Sequence, residues 1–343
     1  MEPVPVSSRW NRAWRLASFA AGFALAAGLL TSLAEGYARY FPPVDLYPYL
    51  GDDSPAQGIY KSDPDFRVTY KSWDAFHDDN APRLNLYLPF DKFAPGPKLW
   101  AMFGNSFIQA PGMLADHARV LVPDRCVFNL ARNENLLVRL AQIKLLLEAG
   151  LQPERIFIEL MPVDLAILGE EPLSMVQVNA RGALGYTPHV PGGPLGSVVR
   201  NSRLAFTAWT RTGRHKGNRE FDRRTLYQGL HPQLYTDVAE LFGNLSQLVQ
   251  SRGVPVTILL IPSFDQVVGN ASFNFQDQLA GLFRAQGYDV IDPRSPFRKH
   301  DDPASLYIPD KHLSNAGNIL LTNQILDHLR GVQVASTSGG GAP

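Results

Sequence analysis

Ser106, Asp310 and His312 are the residues of this chain whose types and spacing could do chemistry, and that chemistry would be nucleophilic. Ser106 sits in the stretch Leu99–Gln109, LWAMFGNSFIQ. Leu99–Phe103 reads as a buried strand, and Gly104-Asn105-Ser106 as a tight turn leading into a helical turn. Such a turn projects the serine hydroxyl from the carboxyl edge of a sheet, where open α/β sheets place their chemistry. A serine is a poor nucleophile until a base takes its proton and a carboxylate orients that base. Asp310-Lys311-His312 offers both ahead of a helix. An extended Asp-x-His segment sends its two side chains to the same side. The plainer reading is that Gly-Asn-Ser is ordinary turn chemistry and that His312 is a cap or surface residue.

The elements needed to bring these residues together can be read from apolar periodicity. Strands are expected at Leu99–Phe103, Arg125–Leu130, Arg155–Leu160, Val256–Ile261 and Asp289–Ile291. Helices are expected at Met113–Val120, Leu136–Ala149, Tyr235–Ser251, Phe275–Gln286 and Asn315–Leu329. In the second of these helices Leu136, Leu137, Leu140, Ile143, Lys144 and Leu147 fall largely on one face, and Gly150 ends it. This alternation implies right-handed crossovers and a parallel sheet covered on both sides. Ser106 after the first strand and His312 before the last helix would then meet at one edge.

The remaining segments divide the chain further. Residues 1–15 carry Arg9, Arg12 and Arg15, and Leu16–Ala34 follows without a charged residue. As a helix that run is about 28 Å long, enough for a bilayer. The preceding arginines put the N-terminus in the cytoplasm and the rest outside; a cleaved secretory signal would export the chain equally. Residues 35–98 read as a stalk and lead-in, 99–330 as the α/β domain, and 331–343 as a disordered tail. Residues 168–234 break the rhythm and read as an insertion over the sheet's carboxyl edge. Arg200, Arg203, Arg211, Arg214, Lys216, Arg219, Arg223 and Arg224 make it basic, either as a solvated loop or as a flap for anionic lipid or an acidic polymer.

With 32 basic and 32 acidic residues, the balance argues against nucleic acid as a partner. No zinc-spaced Cys/His cluster and no phosphate loop is present, so no metal and no cofactor is expected. The single cysteine, Cys126, reads as a buried inert thiol within a strand. His117 and His300 read as surface residues.

Phe103-Gly104-Asn105-Ser106-Phe107 resembles the Gly-Asp-Ser block of the SGNH/GDSL hydrolases. Pro309-Asp310-Lys311-His312-Leu313-Ser314-Asn315-Ala316-Gly317 resembles their closing Asp-x-His-Leu-x-x-x-Gly block. The resemblance spans roughly residues 99–329 and is nearest in layout to bacterial members with one N-terminal membrane helix. It implies a flavodoxin-like three-layer αβα sandwich with a parallel five-stranded sheet, preceded by one transmembrane helix. It also implies a metal-free Ser106–His312–Asp310 triad acting on O-acyl esters. The chain departs from the pattern at Asn105, where the family usually has Asp. It departs again at Asn129-Leu130-Ala131-Arg132-Asn133, which lacks the second block's glycine, and at Val163, which replaces the third block's asparagine. The Ser106 amide is left as an oxyanion donor, with Asn105, Ala131 or Asn133 as substitutes. Asp164 reads as a helix cap or a catalytic residue. Two functions follow. One is a membrane-anchored, periplasmic esterase or O-acyltransferase for acylated carbohydrate or small esters, working with envelope polysaccharide machinery. The other is a non-catalytic binding or scaffold subunit of such an assembly.

Overall fold

The computed structural model describes residues 6–41, 58–72, 75, 99–109, 112–131, 136–165, 168–169, 171–212 and 223–338. Its centre is a parallel sheet of five strands: β3 (Leu99–Phe103), β4 (Cys126–Asn129), β5 (Arg155–Leu160), β8 (Val256–Leu260) and β9 (Asp289–Ile291). Their spatial order is β4-β3-β5-β8-β9, every neighbouring pair parallel. In chain order that is 2-1-3-4-5, the flavodoxin-like arrangement, whose topological switch lies beside the first strand, here β3.

Alternation along β3 explains the three layers. Leu99, Ala101 and Phe103 face one core, and Trp100 and Met102 face the other. The first core is closed by helices α4 (Leu136–Glu148), α7 (Pro232–Arg252) and α9 (Asn274–Ala285). The second is closed by α3 (Leu114–Leu121), the short α10 (Arg294–Arg298) and α11 (Asn315–Ser338). Gly150 and Gly253 end α4 and α7 in the left-handed region, at φ of 88° and 66°, as glycine after a helix allows.

Several expectations are revised. The lead-in holds an antiparallel hairpin, β1 (Tyr60–Asp63) and β2 (Arg67–Tyr70). It brings Phe66, Val68 and Tyr70 into the first core, so the domain's packing begins before residue 99. Lys144 of α4 fastens that hairpin through Asp63 at 2.6 Å and Asp65 at 2.9 Å. Cys126 is exposed, not buried, because it opens the edge strand β4 rather than lying within it. The last helix does not stop at Leu329 but runs through Gly331 to Ser338; a single helical glycine costs only about 1 kcal/mol. The rest of the expected tail, residues 339–343, lies outside the described residues.

The inserted segment is not simply a flap over the carboxyl edge. It forms a hairpin, β6 (Val176–Val178) and β7 (Leu184–Tyr186), that packs beside β1 and β2. Two helices follow, α5 (Gly193–Asn201) and α6 (Arg203–Thr210). Its closing 3-10 turn, Arg223–Gln228, packs against the Pro162–Leu165 turn at the carboxyl end of β5. Arg214, Lys216 and Arg219 lie outside the described residues.

The N-terminal helix α1 spans Val6–Tyr40, longer than the apolar run alone. Among the described residues it is the one helix long and apolar enough to cross a membrane, over Trp14–Tyr40. Its final turns pack against α6.

Candidate active site

β3 ends at Phe103, and Gly104-Asn105 turns the chain into α2 (Ser106–Gln109). Glycine is required at 104 because a Cβ there would stand 2.2 Å from Glu159 Oε2 and 2.7 Å from Ile108 Cδ1. Asn105 is buried and held at three points. Its backbone N–H donates to Glu159 Oε2 at 2.8 Å. Its side-chain oxygen accepts the Phe107 N–H at 3.0 Å. Its amide nitrogen lies 3.3 Å from each oxygen of Asp164. The residue before Ser106 therefore cannot drift, and neither can the serine. Asn129, at the end of β4, adds a brace by donating to the Ile108 carbonyl at 3.0 Å.

Ser106 Oγ lies 2.6 Å from His312 Nε2. On the other side of the ring, His312 Nδ1 lies 3.1 Å from Asp310 Oδ1, which also accepts the His312 backbone N–H at 3.1 Å. These bonds hold the Asp310 carboxyl below the usual carboxylate range, the backbone N–H contributing most. Phe107 flanks the imidazole with ring centroids 4.8 Å apart.

The Asp310–His312 segment is not extended, contrary to expectation. Lys311 adopts a left-handed φ of 70°, and its ammonium pairs with Asp265 at 2.9 Å. The turn closes through Lys311 N–H to the Ile308 carbonyl at 2.8 Å and Ile308 N–H to the His312 carbonyl at 2.9 Å. The side chains converge because the backbone folds back, not because of strand alternation. Ser314 then accepts the Gly317 N–H at the start of α11. A Cβ at Gly317 would stand 2.3 Å from the Leu306 carbonyl oxygen, so this glycine seats the helix against the loop.

A buried charge cluster supports the serine turn. Arg139 of α4 and Asp164 pair at 2.8 Å with side chains 3% and 2% exposed. Arg139 also donates to the Glu159 carbonyl oxygen at 2.7 Å. Asp164 lies within the Pro162–Leu165 turn and reaches back to accept the Met161 N–H at 2.7 Å. Glu159 is wholly buried, and its Oε1 has no partner among the described residues. Burial, then the nearby Asp164, pushes its carboxyl to about 8, although Arg139 and the Asn105 amide pull the other way. One cation faces two carboxyls, so charge balances when Glu159 keeps its proton.

Ser106, His312 and Asp310 thus come together as the sequence suggested. The proposed oxyanion residues do not all join them. Asn105 turns its amide to Asp164, the carboxylate that Arg139 pairs, and so away from an oxyanion. The Ala131 N–H is taken by the Asn129 side chain at 3.1 Å. Asn133 lies outside the described residues. Among the described residues no acceptor takes the Ser106 N–H, which leaves it available. Val163 is exposed. His300 bonds within its own loop, to Asp302, and His117 stands half-buried on α3. Glu159 and Arg139 went unread in the sequence. Their signal was a charged residue inside an apolar strand, RIFIEL, and another inside an apolar helix, LLVRLA. Among the described residues no cluster of His, Cys, Asp or Glu is arranged to hold a metal ion.

No protein-family model matches the chain, and no curated protein matches it in sequence. Solved structures resemble it in fold alone. A putative SGNH hydrolase from Slackia heliotrinireducens is 15% identical at a TM-score of 0.40, over 68% of this chain and 98% of that one. A lipase/acylhydrolase from Enterococcus faecalis is 12% identical at 0.37, over 68% and 96%. A catalytic mutant of an acetylxylan esterase from Geobacillus stearothermophilus is 12% identical at 0.35, over 67% and 93%.

Proposed function

We propose that the chain is a serine esterase or O-acyltransferase of SGNH type, anchored by α1 with its α/β domain outside the cytoplasm. The observation that carries this reading is the 2.6 Å approach of Ser106 Oγ to His312 Nε2, with Asp310 on the opposite ring nitrogen. In the proposed reaction Ser106 Oγ attacks an acyl carbonyl while His312 Nε2 takes its proton. Asp310 keeps the Nδ1 proton directed and stabilises the imidazolium. The Ser106 N–H donates to the oxyanion. His312 then returns the proton to the leaving alkoxide, and an acyl-serine remains. Water resolves it in a hydrolase, and a sugar hydroxyl resolves it in a transferase. The substrate class is an O-acyl ester on carbohydrate or a small alcohol, with envelope polysaccharide as the setting.

A second reading has one specific observation in its favour: the Ala131 amide is spent on Asn129. Loss of one oxyanion donor costs about 3–4 kcal/mol of transition-state stabilisation. A site with the nucleophile intact but the oxyanion side weakened suits a binding or scaffold subunit. An active-site-directed fluorophosphonate separates the two. Labelling of the full chain that vanishes in Ser106→Ala, with turnover of p-nitrophenyl acetate, supports the enzyme. Absence of both from folded protein leaves the scaffold.

A further inference from the structure

The end of α1 is locked to α6 by a carboxylate. Glu35 accepts the Arg203 N–H at 2.7 Å, the Leu204 N–H at 2.9 Å and the Ser202 hydroxyl at 2.8 Å. It satisfies the first amides of α6 from a different helix, where an anion is favoured. Arg39, paired with Glu35 at 2.9 Å, also donates to the Asn201 carbonyl at the end of α5 at 3.2 Å. Ala38 is buried in this contact, while Leu33, Tyr37, Tyr40 and Phe41 stay exposed. The lock falls where the uncharged run Leu16–Ala34 ends. Tyrosines at that level are the side chains that settle at a membrane–water boundary.

The two helices held there have an unusual outer surface. Leu195 and Val198, one turn apart on α5, are 58% and 56% exposed, and Leu204 on α6 is 38% exposed. Arg200 and Arg211 are also exposed, with no ion pair among the described residues. Residues 172–219 contain no Asp or Glu at all. A protein partner for so basic a face would have to bring acidic groups. An anionic lipid surface supplies negative charge above an apolar layer, which suits exposed Leu and Val flanked by Arg. It is also the surface that α1 would reach at this point.

We propose that α5 and α6 form a membrane-contact foot. In it Leu195, Val198 and Leu204 enter the interfacial layer of anionic phospholipid, Arg200 and Arg211 meet phosphates, and Glu35 fixes the foot to the anchor. The domain is thereby held in one orientation on the bilayer instead of swinging on a free stalk. The proposal rests on α1 spanning the membrane, and the test is chosen to tell the two failures apart.

The full chain carrying Cys126→Ser is reconstituted in nanodiscs of phosphatidylcholine and phosphatidylglycerol. Single cysteines Leu195→Cys, Val198→Cys and Leu204→Cys receive a small fluorophore, with Leu25→Cys in α1 and Ser251→Cys at the end of α7 as references. The expected result is quenching of all three foot positions by a lipid-borne spin label. Protection from aqueous iodide should be several-fold greater than at Ser251→Cys. If the three behave like Ser251→Cys while Leu25→Cys is buried in lipid, the foot is wrong and the anchor stands. If Leu25→Cys is itself open to iodide, the anchor fails and the foot with it. Iodide protection without lipid quenching would mean that a second copy covers the face, which also overturns the proposal.

Discussion

Replacing Glu159 by glutamine tests the buried cluster beneath the serine. The Glu159 carboxyl is wholly buried and pushed to about 8. The native chain therefore holds a proton that the unfolded chain has released, over a window from about 4.5 to about 8. Stability is greatest below the unfolded value and falls as pH rises through the window, by about 1.4 kcal/mol per pH unit for one proton. Between pH 5 and pH 7 the fall is about 2–3 kcal/mol, a large share of the roughly 5–15 kcal/mol that holds a domain folded. In Glu159→Gln the amide oxygen still accepts the Asn105 N–H, and nothing titrates. Every other ionisable group is shared, so the difference between the two pH profiles isolates residue 159. Urea unfolding of the full chain in detergent micelles, followed by tryptophan fluorescence at pH 5, 6 and 7, gives both profiles. The variant should lack the slope and be at least as stable as the parent at pH 7. Parallel profiles would refute the assignment of a protonated Glu159.

Three further outcomes are expected. Asp310→Asn should lower kcat/KM for p-nitrophenyl acetate by about 10- to 1,000-fold, short of the roughly 10,000-fold loss for a buried orienting carboxylate, because the Asp310 side chain is 65% exposed; an unchanged rate would remove Asp310 from the site. Gly104→Ala should cost about 1–3 kcal/mol in urea unfolding through overpacking and suppress fluorophosphonate labelling, since its methyl would collide with Glu159; normal labelling would show that the turn is not constrained. Arg139→Met should cost about 3–5 kcal/mol by leaving Asp164 buried without its cation, and adding Asp164→Asn should restore most of that loss; a double variant no more stable than the single one would deny the pairing.

The positions of the five strands and the Ser106–His312 encounter were legible because each depends on local pattern. Apolar runs of three to six residues marked the strands, and Ser106 and His312 each sit at an element boundary that the pattern marks. What escaped depended on the third dimension. Cys126 shares its apolar surroundings with buried strand residues, and only the strand's place at the sheet edge exposes it. The hairpin Tyr60–Tyr70 lies in a Pro- and Asp-rich stretch without helical period, yet Phe66, Val68 and Tyr70 find a surface on α4. Asp-x-His spacing suggested an extended segment, but the left-handed Lys311, tied to Asp265, makes a turn. Arg139 and Glu159 lie on different elements, and their side chains are linked through Asp164 and the Asn105 turn, a link that no local spacing marks.

Asparagine at 105 and the buried charges around it make sense together. An aspartate at that place, as the resembling family usually has, would set a carboxylate about 3 Å from Asp164, with Glu159 as a third carboxyl and Arg139 as the one cation. Like charges that close cannot all ionise, so another buried proton would be needed. The neutral amide instead donates to Asp164 at 3.3 Å whatever the pH. The departure at 105 is therefore absorbed on the nucleophile's side of the site. Among the described residues no comparable compensation meets the departures at Ala131 and Val163, where one amide is already bonded and the other side chain is exposed. Both the acylation of a serine and the later release of the acyl group pass through an oxyanion, so a weakened oxyanion side slows both halves of the proposed reaction. A fluorophosphonate needs one displacement of fluoride and no release step, so it should react more readily than an ester is turned over, and the gap between the two rates measures how weak the oxyanion side is.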